Sequence, residues 1–333
     1  MAWEPASDLG KFGNPYLRWS ILYGLVIIVL TLLPLWGRFM FQEITSLYIN
    51  ACFIAWFNVM WVAISLNAVR NFSKLGNVPV PGLEALAAAR ARKFTHAVIV
   101  PCYLDPIDVL FDCLGSLLMQ KNPASLFVVV TFEAKTPDLK RMVEAVTSAF
   151  DEKFGHFICV IHTVLKDKEI AGGCSNKNFA LREMTKYLNA HPDKFGGHAV
   201  TISTCDTDSL FHPNYFEVLE LCYNGENPSL KAVPKMCVWQ SPLFYNWDLD
   251  ERPFFNRITG IMRSMMMLGG LISFNLNPMS IFSYPLELGL KAGFINPRYG
   301  MLIDPRLLIR IIFGPRSLPH APHHSSRFPR RCR

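Results

Sequence analysis

Two aspartates separated by one residue, Asp206 and Asp208, stand in the segment TISTCDTDSLFHP. They close a run of apolar and β-branched residues, HAVTISTCD (198–206), that reads as a buried strand. In an extended chain residues i and i+2 point to the same side. The spacing therefore predicts two carboxylates together at the carboxyl end of a strand. Hard dications take oxygen ligands of this kind, and Mg²⁺ or Mn²⁺ held there would bridge to the diphosphate of a ligand. The competing reading is an acidic turn in which Asp206 or Asp208 caps the structure that follows. Asp-x-Asp recurs by chance, so its meaning depends on the topology that carries it.

That topology is legible upstream. HAVIVPCY (96–103), LFVVVTFE (126–133) and FICVIHTVL (157–165) are continuous apolar runs of strand length. Between them, 107–120, 138–150 and 176–190 have helical periodicity. Strands apolar on both faces and separated by helices predict a mostly parallel sheet covered on both sides. This is an α/β fold of the doubly wound kind, in which ligands bind outside the carboxyl ends of the strands. Asp206 and Asp208 fall at such an end.

The N-terminal part has another character. Ser20 to Trp36 and Leu47 to Leu66 are free of charge, and each approaches the ~20 apolar residues that cross a bilayer. The alternative is a pair of buried core helices. Lys11 and Arg18 precede the first run, Arg38 alone lies between them, and Arg70, Lys74, Arg90, Arg92 and Lys93 follow the second. By the positive-inside rule this predicts a multi-pass membrane protein with its N-terminus and main domain in the cytoplasm. Of the 333 residues 51% are hydrophobic and only 18% charged, and a bilayer accounts for the excess.

The net charge of +7 gathers partly at the end of the chain, at Arg316, Arg327, Arg330, Arg331 and Arg333. No basic stripe is interleaved with aromatics, which argues against nucleic acid as a partner. The nine cysteines show no CxxC pair, as expected in a reducing compartment. The stretch 258–274, ITGIMRSMMMLGGLISF, reads as an amphipathic helix packed on the domain or lying at the bilayer interface. The expected organisation is a cytoplasmic N-terminus (1–19), two transmembrane helices (20–70), and a linker with an interfacial helix (71–94). An α/β domain (95–314) and a basic tail of disordered composition (315–333) follow.

In order, VIVPCY, VVVTFE, GGCSNKNFAL and CDTDS resemble the GT-A fold of family 2 glycosyltransferases, the group of cellulose, chitin and hyaluronan synthases. VWQSPLFYNWD (238–248) and IFSYPLELGLKAGF (281–294) resemble the acceptor-side part of such domains, so the resemblance spans roughly 95–297. It implies transfer of a sugar from a nucleotide-diphospho sugar, a UDP-sugar being expected, to an acceptor hydroxyl with a divalent metal on the Asp-x-Asp pair. The acceptor, saccharide or lipid, stays open.

Carried over residue by residue, Pro101 and Tyr103 match the turn lining the nucleotide pocket, and Glu133 matches an acid that contacts the base. A solvated carboxylate at the strand end is the competing reading for Glu133. Asn176 matches an Asn near the nucleotide, or caps the following helix, and Gly173 stands where the family has a lysine. Asp208 matches the metal ligand, and Asp206 the sugar or ribose side with a share in the metal. Gln240 matches an acceptor-side position, or is a satisfied strand polar group.

The departures bear on activity. Inverting transfer needs a general base, and the only acid in GFINPRYGMLIDPRLLIRIIF is Asp304, displaced from the family's spacing and followed by Pro305. The family's Gln-x-x-Arg-Trp motif is absent. These departures imply a truncated acceptor half and leave the catalytic residue unassigned. Two alternatives follow. One is a catalytically incomplete GT-A-fold membrane protein that binds nucleotide without transferring sugar. The other is a phosphatase-type enzyme with Asp206 as nucleophile and Asp208 as acid, a class that expects Thr or Val where Leu210 stands.

Overall fold

The computed structural model describes residues 25, 43–76, 93–165, 172–226, 237–245, 251–273 and 280–294. The first expected span at 20–36 (Leu25 apart), most of the 71–94 linker, Asp304 and the basic tail lie outside the described residues.

The second expected span is a single helix, α1 (Glu43–Gly76), of 34 residues. At 1.5 Å per residue it is about 51 Å long, against a hydrocarbon core of about 30 Å. Its apolar side chains face outward, Leu47 at 68% and Trp56 at 61% exposure, so α1 is not a core helix. It also runs past the expected boundary, through Arg70 and Lys74.

The domain is built on β1 (Phe94–Cys102), β2 (Leu126–Glu133), β3 (His156–His162) and β4 (Ala199–Thr204), with β5 (Trp239–Gln240) and β6 (Phe282–Pro285) at one edge. The sheet order is β3-β2-β1-β4-β6-β5. The first four strands are parallel, and β6 runs antiparallel to β4 and β5. The helices are α2 (Ile107–Leu118), α3 (Leu139–Phe150), α4 (Gly173–Ala190), the short α5 (Pro192–Phe195), α6 (Tyr215–Asn224), α7 (Phe254–Met266) and α8 (Leu286–Ala292).

The continuous apolar strands exist because both faces are covered. Val98, Val100, Val128 and Val130 meet Leu110, Leu114 and Leu117 of α2, Val146 of α3 and Phe216 of α6 on one face. Ala97, Ile99, Phe127 and Val129 meet Ala180, Leu181 and Met184 of α4 and Leu288 of α8 on the other. Pro101 is unusual in a central strand because it donates no ladder bond. A strand residue's N and O point to one side. Pro101 O accepts from Thr207 at 2.6 Å, so its nitrogen faces the flank where β4 has already ended, opposite Ile99.

The amphipathic reading of 258–274 holds in outline, but the helix begins at Phe254 and ends in one wider π turn, Met267–Leu271. That turn docks on α1. Asn71 Nδ2 donates to Leu268 O at 2.7 Å and to Ser273 Oγ at 2.9 Å. Gly269 lies so close to α1 that a Cβ there would come within 1.9 Å of Ile64 O.

Candidate functional site

β1 has β2 on one side and β4 on the other. The chain leaves β1 through α2 on one face and returns to β4 from α4 on the opposite face. This is the topological switch point, where the connections diverge and open a crevice. A cleft of about 290 Å³ lies there, and Pro101, Tyr103, Glu133, Asn176, Asp206 and Asp208 all line it. The six residues expected around the nucleotide and metal thus meet in one place, whereas Gln240 is not among the residues that line it. Asp105, Thr207, Gly172 and Gly173 complete the wall.

The acidic pair is positioned otherwise than the strand argument predicts. β4 ends at Thr204, and Asp206 to Ser209 form a turn in which Ser209 N donates to Asp206 O at 3.1 Å. The Ser209 hydroxyl in turn accepts from Asp206 N at 3.1 Å. The two carboxylates reach the cleft through this turn and not by alternation along a strand. The turn is tied to β1. Cys205 N donates to Ile99 O, and the Thr207 hydroxyl lies 2.6 Å from Pro101 O and 2.8 Å from Asp105 Oδ2. Asp105 Oδ2 also accepts from Tyr103 N at 3.1 Å, across Leu104 in the left-handed region at φ 59°.

The two aspartates are electrostatically unlike. Burial alone would raise the Asp206 carboxyl. Lys177, as a charge and as a donor, outweighs it with help from Ser280 and holds the carboxyl below the usual range. Lys177 Nζ lies 2.8 Å from Asp206 Oδ1. Asp208 moves the other way: burial first, then the Asp206 charge, with Asp105 adding, pushes its carboxyl up. The Asp206 and Asp105 charges that add to burial there are ones a bound dication would offset. Among the described residues no group of three or more His, Cys, Asp or Glu could by itself hold a metal. The acidic pair nevertheless suits a hard cation that completes its shell with water and ligand oxygens, as Mg²⁺ does at phosphate sites.

The cap reading of Asn176 is corrected by the structure. Asn176 borders the cleft but does not cap its helix, and its amide is bonded to β2. Its Oδ1 accepts from Thr131 Oγ1 at 2.7 Å and its Nδ2 donates to Thr131 O at 3.2 Å. With 2% exposure it clamps the start of α4 to the end of β2. The helix starts three residues before the expected position, at Gly173. Glu133 is 6% exposed and opens onto the cleft. Gln240 Nε2 donates to Ser241 O and Ile281 O, as a satisfied strand polar group does.

Sequence reasoning missed Asp105 and Lys177. The Asp-Pro dipeptide immediately after a buried strand was a usable signal for Asp105. Lys177 carried none, because it points at Asp206 only once α4 is packed.

No family model matches the sequence, and no curated protein matches it. Solved structures of similar outline are found. A mannosyltransferase from Pyrobaculum calidifontis in complex with GDP-Man and Mn²⁺ aligns over 70% of this chain at 16% identity and TM-score 0.37. Residues 1–349 of S. aureus TarS in complex with UDP-GlcNAc align over 66% at 14% identity and TM-score 0.38. Mouse xyloside xylosyltransferase 1 in its apo form aligns over 66% at 15% identity and TM-score 0.30, matching 75% of its own length. The chain spans 59% of the first and 54% of the second. The sheet itself, six strands of mixed but mostly parallel direction between helical layers, defines the α/β class of the domain.

Proposed function

We propose that the chain is a membrane-bound glycosyltransferase that takes a sugar from a nucleotide-diphospho sugar. The observation that carries this reading is the meeting of Asp206, Asp208, Glu133 and Tyr103 in one cleft at the β1/β4 switch point. Half-exposed Tyr103 offers a ring for the base, and buried Glu133 an acceptor for its edge. Asp206 lies on the sugar or ribose side. Asp208, with Asp206 beside it, would hold Mg²⁺ or Mn²⁺, which when bound neutralises charge developing on the departing diphosphate. The cleft wall carries the carboxylates of Asp105, Glu133, Asp206 and Asp208, so a diphosphate needs such a counter-charge to enter. The phosphatase-type alternative asks Asp206 to act as a nucleophile, and Leu210 stands where that class expects Thr or Val.

α1 would seat the domain on the membrane. Its charge-free stretch ends where Arg70 begins, and the α7 segment docks just there, at Ser65, Ala68 and Asn71. Exposed Phe254, Phe255, Ile258, Ile261 and Met262 of α7 then lie at the cytoplasmic interface, where an amphipathic helix is stable.

One observation favours a second reading, nucleotide binding without transfer. Among the described residues no carboxylate of β5, β6 or α8 faces the cleft, and Glu287 of α8 is engaged with Lys291 on the exposed helix surface. Titration of the full-length protein with UDP and GDP in the presence of Mn²⁺, for wild type and Asp208→Ala, tests both. Wild-type binding lost in the variant supports the donor site, and transfer or hydrolysis of the bound nucleotide sugar selects the first reading. Absence of binding by the wild type rejects both.

A further inference from the structure

We propose that Lys177 is the diphosphate-binding cation of this cleft, parked on Asp206 until the phosphates displace it. The proposal rests on the nucleotide-sugar reading above and assigns a residue that the sequence resemblance leaves missing. Gly173 occupies the position of the expected lysine. Lys177 stands four residues further along α4, one turn on and on the same face.

The surroundings suit an anion above Lys177. Gly172 and Gly173 line the cleft, and a Cβ built on either meets nothing within 4 Å. The approach to the first turn of α4 is therefore open. The Lys177 side chain is only 11% exposed and lies near the positive end of an 18-residue helix. A lysine there adds charge of the sign the helix terminus already carries. That arrangement is unfavourable without an anion, and Asp206 is the anion the protein supplies.

A diphosphate presents several acceptor oxygens to the same ammonium, which sits on a flexible four-carbon stem. Turning Lys177 from Asp206 Oδ1 to a phosphate oxygen breaks one charge-assisted contact and makes another. It also frees the Asp206 carboxylate to accept a hydroxyl of the sugar or ribose. The ion pair is thus the resting state of the donor site, and one side-chain rotation converts it to the loaded state.

The test uses the full chain in detergent micelles at fixed Mn²⁺, with UDP, uridine and inorganic pyrophosphate as probes. Lys177→Gln weakens UDP and pyrophosphate binding about tenfold or more, leaves uridine binding unchanged and flattens the salt dependence, as loss of one charge–phosphate contact requires. Lys177→Arg retains most of the binding. In the wild type, saturating pyrophosphate protects Lys177 from an amine-acylating reagent read by mass spectrometry, a measurement independent of how the variants fold. Equal pyrophosphate affinity in Lys177→Gln, or an unchanged acylation rate at Lys177, overturns the proposal. Pyrophosphate binding that depends on Lys177, in a protein that binds no nucleoside diphosphate, sustains the cation and sinks the nucleotide-sugar reading instead.

Discussion

Replacing Asn176 by alanine separates a clamp from a ligand contact at the point where α4 meets β2. The amide makes two hydrogen bonds to Thr131, at 2.7 and 3.2 Å. Thr131 is fully buried and Asn176 2% exposed, so no bulk water replaces the lost partner. Each net hydrogen bond is worth ~1 kcal/mol, and a buried group left unpaired costs ~1–3 kcal/mol. The two figures measure the same loss in different ways, and at ~1–2 kcal/mol for each of the two bonds Asn176→Ala costs about 2–4 kcal/mol. In a domain of this size 1 kcal/mol moves the midpoint by roughly 2–4 °C, so the variant melts roughly 5–15 °C lower. Thermal unfolding of the full chain in micelles, followed by circular dichroism, reads this directly. Nucleoside diphosphate affinity, measured well below the midpoint, falls only to the extent that Gly172 and Gly173 move with the start of α4. A variant that melts within about 1 °C of wild type while losing nucleotide binding refutes the clamp and restores Asn176 as a ligand residue.

Two further outcomes are expected. Gly269→Ala drives a Cβ to 1.9 Å from the backbone oxygen of Ile64, an overpacking that a backbone atom cannot relieve by rotating and that costs ~1–3 kcal/mol. α1 and the π turn part in this variant, and trypsin cuts at Arg263 faster than in wild type. His96, fully buried against Thr201, has its pKa lowered by burial to about 3 from an ordinary 6.5. Between those values the unfolded chain binds a proton that the folded one refuses. Stability therefore falls as pH drops below 6.5, by about 2 kcal/mol at pH 5. Denaturation across that window shows the loss, and His96→Gln reduces it; an unreduced slope in the variant assigns the acid sensitivity elsewhere.

The parallel core of the domain was readable because its strands are apolar on both faces. Only a sheet covered by helices on two sides stabilises such runs, and β1, β2 and β4 lie within two residues of the expected segments. α6 and the antiparallel edge of β5 and β6 were not read as elements. β5 is two residues long and β6 four, too short for any periodicity to emerge. Their pairing depends on contacts such as Ser203 Oγ with Ser283 Oγ at 2.6 Å, which join residues 80 positions apart.

At the site the chain alone determined residue types and their approximate place: an acidic pair leaving a strand, an acid closing another, an asparagine opening a helix. Local sequence suffices for this, because a strand's carboxyl end is written in its own composition. Tertiary structure decided what each group is bonded to. The carboxylates of Asp206 and Asp208 differ because Lys177 reaches one and not the other. Asn176 is turned inward because α4 starts at Gly173 and sets that side chain against Thr131. Such partnerships span 29 and 45 residues, and they follow from the packing of α4 on the sheet, which no local pattern in the sequence contains.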